Sequence, residues 1–321
     1  ASSPVAAQQA TCPPVPPPGR RPYRKACLNG FMAPTLQILG CMKCGTTSLH
    51  KELTTRAGAA LDTGRVLAGE FWFTKKEKHF FDRNETYSKG MHWYLRHYQP
   101  CTSSRPGIVA VDATQAYSKM SRVPSRMRKS FADQASAIHF VMVLRDPTPR
   151  LFSNYFHRKK CCLGNSTFEE WVDQQMLAAE VCVAQQRHPW PTCGEEGLFA
   201  GLYAAQLEQY LRYFCASQFV LVAFHGLIAD TSLVMSHILQ RVGITRAKGL
   251  NVQKPKEITM IKKNGKTPSD KSMAVRTEQR INAFYRPHNQ AVLNLVNKYP
   301  AFTVLPSPRS LEVELDLGSN G

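Results

Sequence analysis

Long hydrophobic runs are missing from this sequence of 321 residues. The longest, such as residues 219–224, fall far short of the ~18 apolar residues that a membrane-spanning helix requires. The N-terminus also lacks the basic start and apolar core of a signal peptide. Neither a membrane helix nor a cleavable leader is therefore predicted.

Acidic residues are also few in this sequence, compared with basic ones. Asp and Glu together number 23 against 41 Lys and Arg, which gives a formal net charge of +18. This excess excludes a charge-neutral surface and indicates an anionic partner: nucleic acid, a polyanionic sugar, anionic lipid or a multiply phosphorylated cofactor. Hydrophobic residues at 43% and charged residues at 20% exclude wholesale disorder and a collagen-like structure.

Cysteine is too scarce for a disulfide-dense small scaffold, but 10 cysteines are more than a typical cytosolic enzyme has. Two glycosylation sequons also occur, Asn84-Glu85-Thr86 and Asn165-Ser166-Thr167. Together these features favour an oxidising, glycosylating lumen. Reduced thiols and unused sequons are the alternative.

A luminal compartment would allow at least one disulfide, and Cys182 with Cys193 is the first candidate. A proline-rich turn between these two residues can bring them together. The adjacent Cys161 and Cys162 are expected to bond to distant partners, if they bond at all.

Composition divides the chain into three parts. Residues 1–34 are rich in proline and then in arginine, which predicts a stalk or linker. Residues 35–310 alternate short apolar strands with segments of helical spacing, which predicts an α/β domain with a parallel sheet covered on both faces. Residues 311–321 are expected to form a flexible acidic tail. The predicted strands are 35–39, 108–111, 137–144 and 219–224, and the predicted helices are 46–56, a segment after 149, 168–184, 202–214, 233–242 and 276–297.

The most informative segment, GCMKCGTTSL, runs from Gly40 to Leu49 at a predicted strand-to-helix junction. Glycines at both ends let backbone N–H groups converge on an anion at the helix N-terminus. Lys43 adds a charge, and Thr46 and Thr47 add hydroxyl donors. A Walker A loop is excluded, because its lysine directly follows the second glycine, where this chain has Thr46.

Cys41 and Cys44 form a C-x-x-C pair in this segment, the spacing of thioredoxin-like redox motifs. The flanking G-T-T, the chain length and the basic charge argue against redox chemistry. The lack of a second C-x-x-C argues against zinc, and no metal site is predicted. We expect both thiols to be small side chains packed around the loop.

A second motif, RDPTPRLFSNY, begins at Arg145, where a predicted strand ends. Pro149 suits the first turn of the helix that follows. A guanidinium at the strand end and the Ser153 hydroxyl in that helix can converge on one phosphate. A structural ion pair between Arg145 and Asp146 or Asp112 is the alternative.

These two motifs resemble the sulfotransferases that use 3′-phosphoadenosine 5′-phosphosulfate (PAPS). The family has a K-x-G-T-T loop for the 5′-phosphosulfate, which matches residues 43–47. Its R-[DN]-P-x-x-R-x-x-S-x-[YF] element for the 3′-phosphate matches residues 145–155, in the expected order and spacing. The resemblance implies a P-loop-like three-layer α/β fold with a central parallel sheet flanked by helices.

Further segments resemble the Golgi carbohydrate branch, of heparan sulfate and chondroitin type. Residues 76–82 resemble its K-E-x-H-F-F-[DS] segment, and residues 201–221 and 284–289 resemble two later elements. The chain departs from that branch at two places. The branch has a lysine in a D/E-K-[ST]-P-x-Y segment, where this chain has Ala113. The heparan sulfate enzymes also have a late cysteine pair, and this chain has no cysteine after Cys215. Residues 261–268 still resemble the basic K-G-[RK] loop of that branch.

The resemblance implies sulfuryl transfer from PAPS to a hydroxyl or amine of an anionic glycan, without a metal. Glu77 is the expected general base, with His79 as the alternative. Lys43 is expected to stabilise the leaving phosphate. The residues expected to bind the cofactor are Lys43, Cys44, Gly45, Thr46, Thr47, Ser48, Arg145, Ser153, Tyr203, Lys263, Gly265 and Lys266.

Basic residues outside these motifs are expected to line the acceptor cleft, although a merely solvated basic face is the alternative. They are Arg122, Arg126, Arg128, Lys129, Arg158, Lys159 and Lys160. The implied location is the Golgi lumen, as a type II membrane protein without its anchor, and the cytoplasm is the alternative. A nucleic-acid partner is not expected. Two other functions remain open: a small-molecule sulfotransferase of the same fold, and an inactive polyanion-binding module.

Overall fold

The predicted alternation of strands and helices builds a six-stranded parallel sheet. The computed structural model describes Cys12 and residues 26–58, 61–66, 76–102, 108–184, 196–244 and 272–315. The sheet has the order β4-β5-β3-β6-β7-β8 and every neighbouring pair is parallel. Its strands are β3 (Pro34–Gly40), β4 (Leu61–Asp62), β5 (Val109–Asp112), β6 (His139–Leu144), β7 (Phe219–Ala223) and β8 (Thr303–Leu305). A separate antiparallel pair is formed by β1 (Cys27–Leu28) and β2 (Phe31–Met32).

Helices cover the sheet, so its strands are buried on both faces. Every residue of β3, β6 and β7 is buried, as expected for apolar strands in a parallel sheet. The predicted α/β fold with a central parallel sheet flanked by helices is therefore confirmed. The helices are α1 (Thr46–Ala57), α2 (Asn84–Tyr87), α3 (Gly90–Leu95), α4 (Arg122–Phe131), α5 (Pro147–Lys159), α6 (Phe168–Ala184), α7 (Tyr203–Leu211), α8 (Phe224–Ala229), α9 (Thr231–Arg241), α10 (Val275–Lys298) and α11 (Pro308–Glu314). Among the described residues no helix is both long and apolar enough to cross a bilayer.

The strand order places the two sequence motifs side by side. The chain lays β4 and β5 on one side of β3, and then crosses to place β6 on the other. Ligands of open α/β sheets bind at such a switch point, beyond the carboxyl ends of the strands. β3 leads into the glycine-rich loop and β6 into Arg145, so both motifs lie at this position.

Cysteine pairing differs from the sequence-based expectation at two places. Cys41 and Cys44 form a disulfide rather than two packed thiols, because the turn after β3 brings their Cα atoms to 5.3 Å. The adjacent Cys161 and Cys162 bond to each other in the turn that ends α5, not to distant partners. Cys182 is also disulfide-bonded, and its predicted partner Cys193 lies outside the described residues. The two remaining disulfides join Cys12 to Cys215 and Cys27 to Cys101.

Both predicted flexible ends include packed residues. At the N-terminal end, Ala26 and Met32 are buried, and β3 already begins at Pro34. At the other end, Leu311 and Leu315 are buried on or beside α11, so the predicted tail boundary falls inside a packed helix. Strand pairing, disulfides and helix packing hold the described residues of these segments, which their composition alone does not predict.

The buried carboxylate of Glu314 connects α11 to the ends of two central strands. Its Oε1 accepts a hydrogen bond from the N–H of Asp146 at 2.9 Å, just beyond β6. Its Oε2 accepts one from the N–H of His225 at 2.7 Å, just beyond β7. The final helix therefore supports the sheet edge at which the two motifs lie.

Replacing Glu314 with alanine is expected to lower the free energy of unfolding by about 1–3 kcal/mol for each N–H left without an acceptor. Glu312→Ala is the matched control, because Glu312 is exposed on the same helix. Urea unfolding followed by circular dichroism measures both variants. Equal unfolding midpoints for the two would contradict the anchoring role of Glu314.

Candidate active site

The glycine-rich loop between β3 and α1 ends in a helix N-terminus without a side-chain cap. Gly45 occupies the cap position with a left-handed φ of 77°, and the first turn of α1 contains no acidic residue. The first N–H groups of a helix have no partner within the helix, and they favour an anion. The end of this loop therefore favours an anion, and the phosphosulfate as that anion stays a prediction.

Lys43 and Arg145 meet at this loop. The Nη1 of Arg145 donates a hydrogen bond to the carbonyl of Lys43 at 2.8 Å, and its guanidinium lies 4.7 Å from the centre of the Phe224 ring. Burial, followed by the charges of Arg145 and Lys160, lowers the pKa of Lys43. An anion placed here would relieve the repulsion between these cations, so their arrangement suits a phosphorylated ligand.

Tyr203, another predicted cofactor-binding residue, lies at the same point. The buried hydroxyl of Tyr203 donates to the carbonyl of Arg145 at 2.8 Å and lies 3.3 Å from the Sγ of Cys41. Ser153 is half-buried on α5. The neighbouring Asn154 is fully buried, and its Oδ1 has no hydrogen-bond partner among the described residues. Thr46, Thr47 and Ser48 form the first turn of α1, and the predicted loop residues Lys263, Gly265 and Lys266 lie outside the described residues.

The segment that begins at Lys76 places two carboxylates around one imidazole. His79 Nδ1 lies 2.8 Å from Asp82 Oδ2, and its Nε2 lies 3.4 Å from Glu77 Oε2. The side chain of Asp82 is only 4% exposed, whereas that of Glu77 retains 22%. Glu77 and His79, the two predicted bases, are therefore in contact, and Asp82 is an added partner that sequence reasoning missed.

Contacts between these groups determine their charge. Burial alone raises the pKa of Glu77, but the hydrogen bond from His79 and the attraction of Lys76 lower it to about 2. Burial lowers the pKa of His79, but hydrogen bonds to Asp82 and Glu77 raise it to about 9. At neutral pH Glu77 is thus ionised and able to accept a proton, while His79 is an imidazolium that cannot.

A buried polar network on residues 112–117 holds the backbone of residues 78–80 in place. The hydroxyl of Thr114 accepts hydrogen bonds from the N–H groups of Lys78 at 2.8 Å and His79 at 3.3 Å, and donates to Asp112 Oδ1 at 2.6 Å. The hydroxyl of Tyr117 donates to the other oxygen of Asp112 and accepts from the N–H that follows His79. These contacts support the left-handed φ of 47° at His79. The sequence analysis considered this stretch for its missing lysine and for Asp112 as a partner of Arg145, and it missed the D-x-T-x-x-Y pattern that follows the buried strand.

A cleft of about 370 Å³ opens beside His79. Charged side chains of both signs line it: Asp82, Arg83, Glu85, Lys119, Arg122 and Glu196. Of the basic residues predicted for an acceptor cleft, Arg122 is in the lining, and Arg158 approaches Glu196 at 3.6 Å. Arg126 instead stacks on the ring of Tyr87 at 4.4 Å. The described residues contain no group of three or more His, Cys, Asp or Glu placed to hold a metal ion.

The fold and this site define a class of proteins. Residues 34–286, more than half of the chain, match the family model described as the sulfotransferase domain. The chain therefore belongs to the sulfotransferase family.

Curated relatives refine this assignment. The chain is 27% identical over 270 residues to human heparan sulfate glucosamine 3-O-sulfotransferase 3B1, covering 80% of this chain and 61% of that protein. It is 23% identical to mouse bifunctional heparan sulfate N-deacetylase/N-sulfotransferase 4, covering 83% of this chain and 30% of that protein. The chain thus spans about three-fifths of the first relative. These similarities confirm the predicted resemblance to the carbohydrate branch.

A solved structure supports the fold. The crystal structure of a sulfotransferase from Alicyclobacillus acidocaldarius matches with a TM-score of 0.57 and 21% sequence identity. The match covers 83% of this chain and 96% of that chain. At this level of identity the likeness shows the fold alone.

Proposed function

We propose that this protein transfers a sulfuryl group from PAPS to a hydroxyl or amine of an anionic glycan. One observation carries the proposal: the ammonium of Lys76 joins the cofactor loop, at Thr46, to the carboxylate of Glu77. A donor-binding loop and a general base are thereby brought into one site. The names of the relatives, which act on heparan sulfate, point to a glycan of that class as the acceptor.

The loop residues fit PAPS, which when bound supplies the sulfuryl group and a leaving 5′-phosphate. The uncapped N–H groups at Gly45 and the first turn of α1 would receive the phosphosulfate, with Lys43 meeting the charge that develops on the phosphate. Arg145 and Ser153 would hold the 3′-phosphate. The unpartnered Oδ1 of buried Asn154 is a further polar atom beside this position.

Glu77 would act as the base. Its carboxylate is ionised at neutral pH and remains partly exposed, so an acceptor hydroxyl can approach it. His79, held by Asp82, would orient Glu77 and keep it charged rather than accept the proton itself. The role of the chain is then positioning and electrostatic stabilisation, as in phosphoryl transfer.

The cleft beside His79 suits a polar, charged acceptor. Its lining contains both acidic and basic side chains, which offer hydrogen bonds and ion pairs to an acceptor. This lining disfavours a phenol or sterol acceptor, for which a mostly apolar pocket would be expected.

The disulfides accord with an oxidising compartment, and we propose the Golgi lumen as the location.

The direct test is transfer of label from [³⁵S]PAPS to a panel of acceptors. Heparan sulfate, desulfated heparan sulfate, chondroitin and simple phenols would be compared at equal hydroxyl concentration. We expect labelling of one or more glycans and none of the phenols. Labelling of phenols alone would favour the small-molecule alternative. Failure both to label any acceptor and to bind adenosine 3′,5′-bisphosphate would refute the proposed function.

Ser153→Ala and Arg145→Ala are expected to weaken binding of adenosine 3′,5′-bisphosphate by roughly ten- to a hundredfold, because each removes a hydrogen bond to a charged phosphate. Binding of adenosine 5′-phosphate, which lacks the 3′-phosphate, should be unchanged for Ser153→Ala. Isothermal titration with both nucleotides measures the difference. Arg309→Ala, at an exposed position on α11, is the control. Equal losses for the two nucleotides in the Ser153 variant would contradict the assignment.

A further inference from the structure

The ammonium of Lys76 connects the cofactor loop to the proposed base, Glu77. The Nζ of Lys76 lies 3.4 Å from the Thr46 hydroxyl and 2.5 Å from Glu77 Oε1. Its side chain is only 14% exposed, so this ammonium is largely shielded from water. It is therefore held at the boundary between the cofactor loop and the proposed base.

The backbone determines where this ammonium lies. The carbonyl of Lys76 accepts a hydrogen bond from the N–H of Ala113 at 2.9 Å, just beyond β5. Ala113 is fully buried and contributes no charge. Lys78, two residues along, points its own ammonium elsewhere, towards the carbonyl of Arg65 at 3.4 Å and the ring of Tyr98 at 5.9 Å. Of these neighbours, Lys76 is the one that presents positive charge to Thr46 and Glu77.

The titratable groups that face Glu77 come from its own segment and from α1. Lys76 and His79 both approach its carboxylate. His50 on α1 is also nearby, but burial, and then the charges of Lys76 and Lys78, lower its pKa to about 4. His50 is therefore neutral at pH 7, and among the residues that the structure describes Lys76 and His79 are the cations seen against the Glu77 carboxylate.

We propose that Lys76 is a catalytic residue that contacts the sulfuryl group during transfer and leaves the Glu77 carboxylate as it does so. This inference rests on the proposed function. A group in contact with both the donor loop and the base lies where the sulfuryl group passes from donor to acceptor. Its oxygens carry negative charge and would compete with Glu77 for the ammonium.

The transfer step balances without any change at Lys76. The acceptor O–H bond breaks and its proton passes to the Glu77 carboxylate, while the acceptor oxygen forms a bond to sulfur. The bond from sulfur to the bridging oxygen breaks, and its electron pair remains on the departing 5′-phosphate. Lys76 keeps its protons and forms no covalent bond. Because its departure removes an attraction that weakens Glu77 as a base, the carboxylate gains basicity when the proton must be accepted.

Binding measurements test the contact without relying on turnover. In a Glu77→Gln background, adding Lys76→Met is expected to weaken PAPS binding by roughly ten- to a hundredfold. Binding of adenosine 3′,5′-bisphosphate, which has no sulfuryl group, should change less than threefold. Lys51→Met is the matched control, because it removes an exposed lysine from α1, the helix that contains Thr46. Equal loss of affinity for both nucleotides, or no loss for PAPS, would overturn the proposal.

Turnover of the single variants gives the second readout. Lys76→Met should lower kcat by about 10²–10³-fold, and Lys76→Arg should restore much of this loss by returning a positive charge. A kcat for Lys76→Met within threefold of the wild type would refute the role of Lys76 while leaving the proposed function intact. A wild-type protein that neither binds adenosine 3′,5′-bisphosphate nor labels any acceptor would refute the proposed function itself.

Discussion

Glu77→Gln is expected to lower the rate of sulfuryl transfer by about 10²–10⁴-fold while nucleotide binding is retained. Glutamine preserves the size of the side chain and one acceptor oxygen, but it cannot take a proton at neutral pH. Lys76 can still donate to that oxygen, so the contact with the cofactor loop need not be lost. Single-turnover rates with [³⁵S]PAPS, measured together with the affinity for adenosine 3′,5′-bisphosphate, separate chemistry from binding.

His79→Ala is the necessary comparison, because His79 is the alternative base. With its pKa raised to about 9, His79 stays protonated through neutral pH, and its loss should cost less than the loss of Glu77. The wild-type rate should therefore show no inflection near pH 6.5. His79 loses its charge as the pH rises through about 9, and the base Glu77 is lost only in strong acid, as the pH falls through about 2. A large loss for His79→Ala beside a near-normal Glu77→Gln would reverse the two roles. Near-normal rates for both would place the base elsewhere.

Lys43→Ala is expected to reduce kcat by about 10²–10³-fold without unfolding the protein, because it removes the charge that meets the leaving phosphate. The variant should disturb the loop little, since Arg145 binds the carbonyl of Lys43 and not its side chain. Lys43 has a left-handed φ of 71°, and alanine leaves that backbone requirement nearly unchanged.

The control for Lys43 is Lys89→Ala, which removes an exposed lysine from the ring of Trp93. The melting temperature of each variant and its steady-state rate would be measured in parallel. Activity of Lys43→Ala within a few-fold of the wild type would remove Lys43 from the mechanism. A melting temperature far below that of the control would show that the lysine is needed for folding instead.

Sequence patterns predicted the long central elements well and the short ones poorly. Residues 35–39 and 219–224 were expected as strands. The first range lies within β3, and the second gives β7 except for Phe224, which begins α8. The edge strands β4 and β8 contain only two and three residues, too few for any periodicity to emerge. Such strands form because β5 and β7 offer them a partner, which is a property of the assembled sheet.

Cysteine pairing also depended on the fold. Spacing suggested Cys182 as a disulfide residue, and it is bonded, but no pattern indicated that Cys12 would join Cys215 across 203 residues of chain. The vicinal pair and the pair in the loop were missed because local backbone turns decide whether two nearby side chains meet. Residue spacing along the chain does not contain that information.

By itself the sequence determined that a basic loop follows one central strand, that an arginine-bearing turn follows another, and that the family is the sulfotransferases. These features are local, and the order of apolar, glycine and basic residues along the chain is enough to predict a strand, a turn and a helix. The charge states of Glu77 and His79 were decided only by the tertiary structure, because they depend on Asp82 and Lys76 lying within contact distance. The contact between Lys76 and Thr46, which are 30 residues apart in the chain, was also decided only by the tertiary structure. A side chain acquires its pKa and its partners from the neighbours that the sheet brings together, and those neighbours are fixed by packing rather than by position in the sequence.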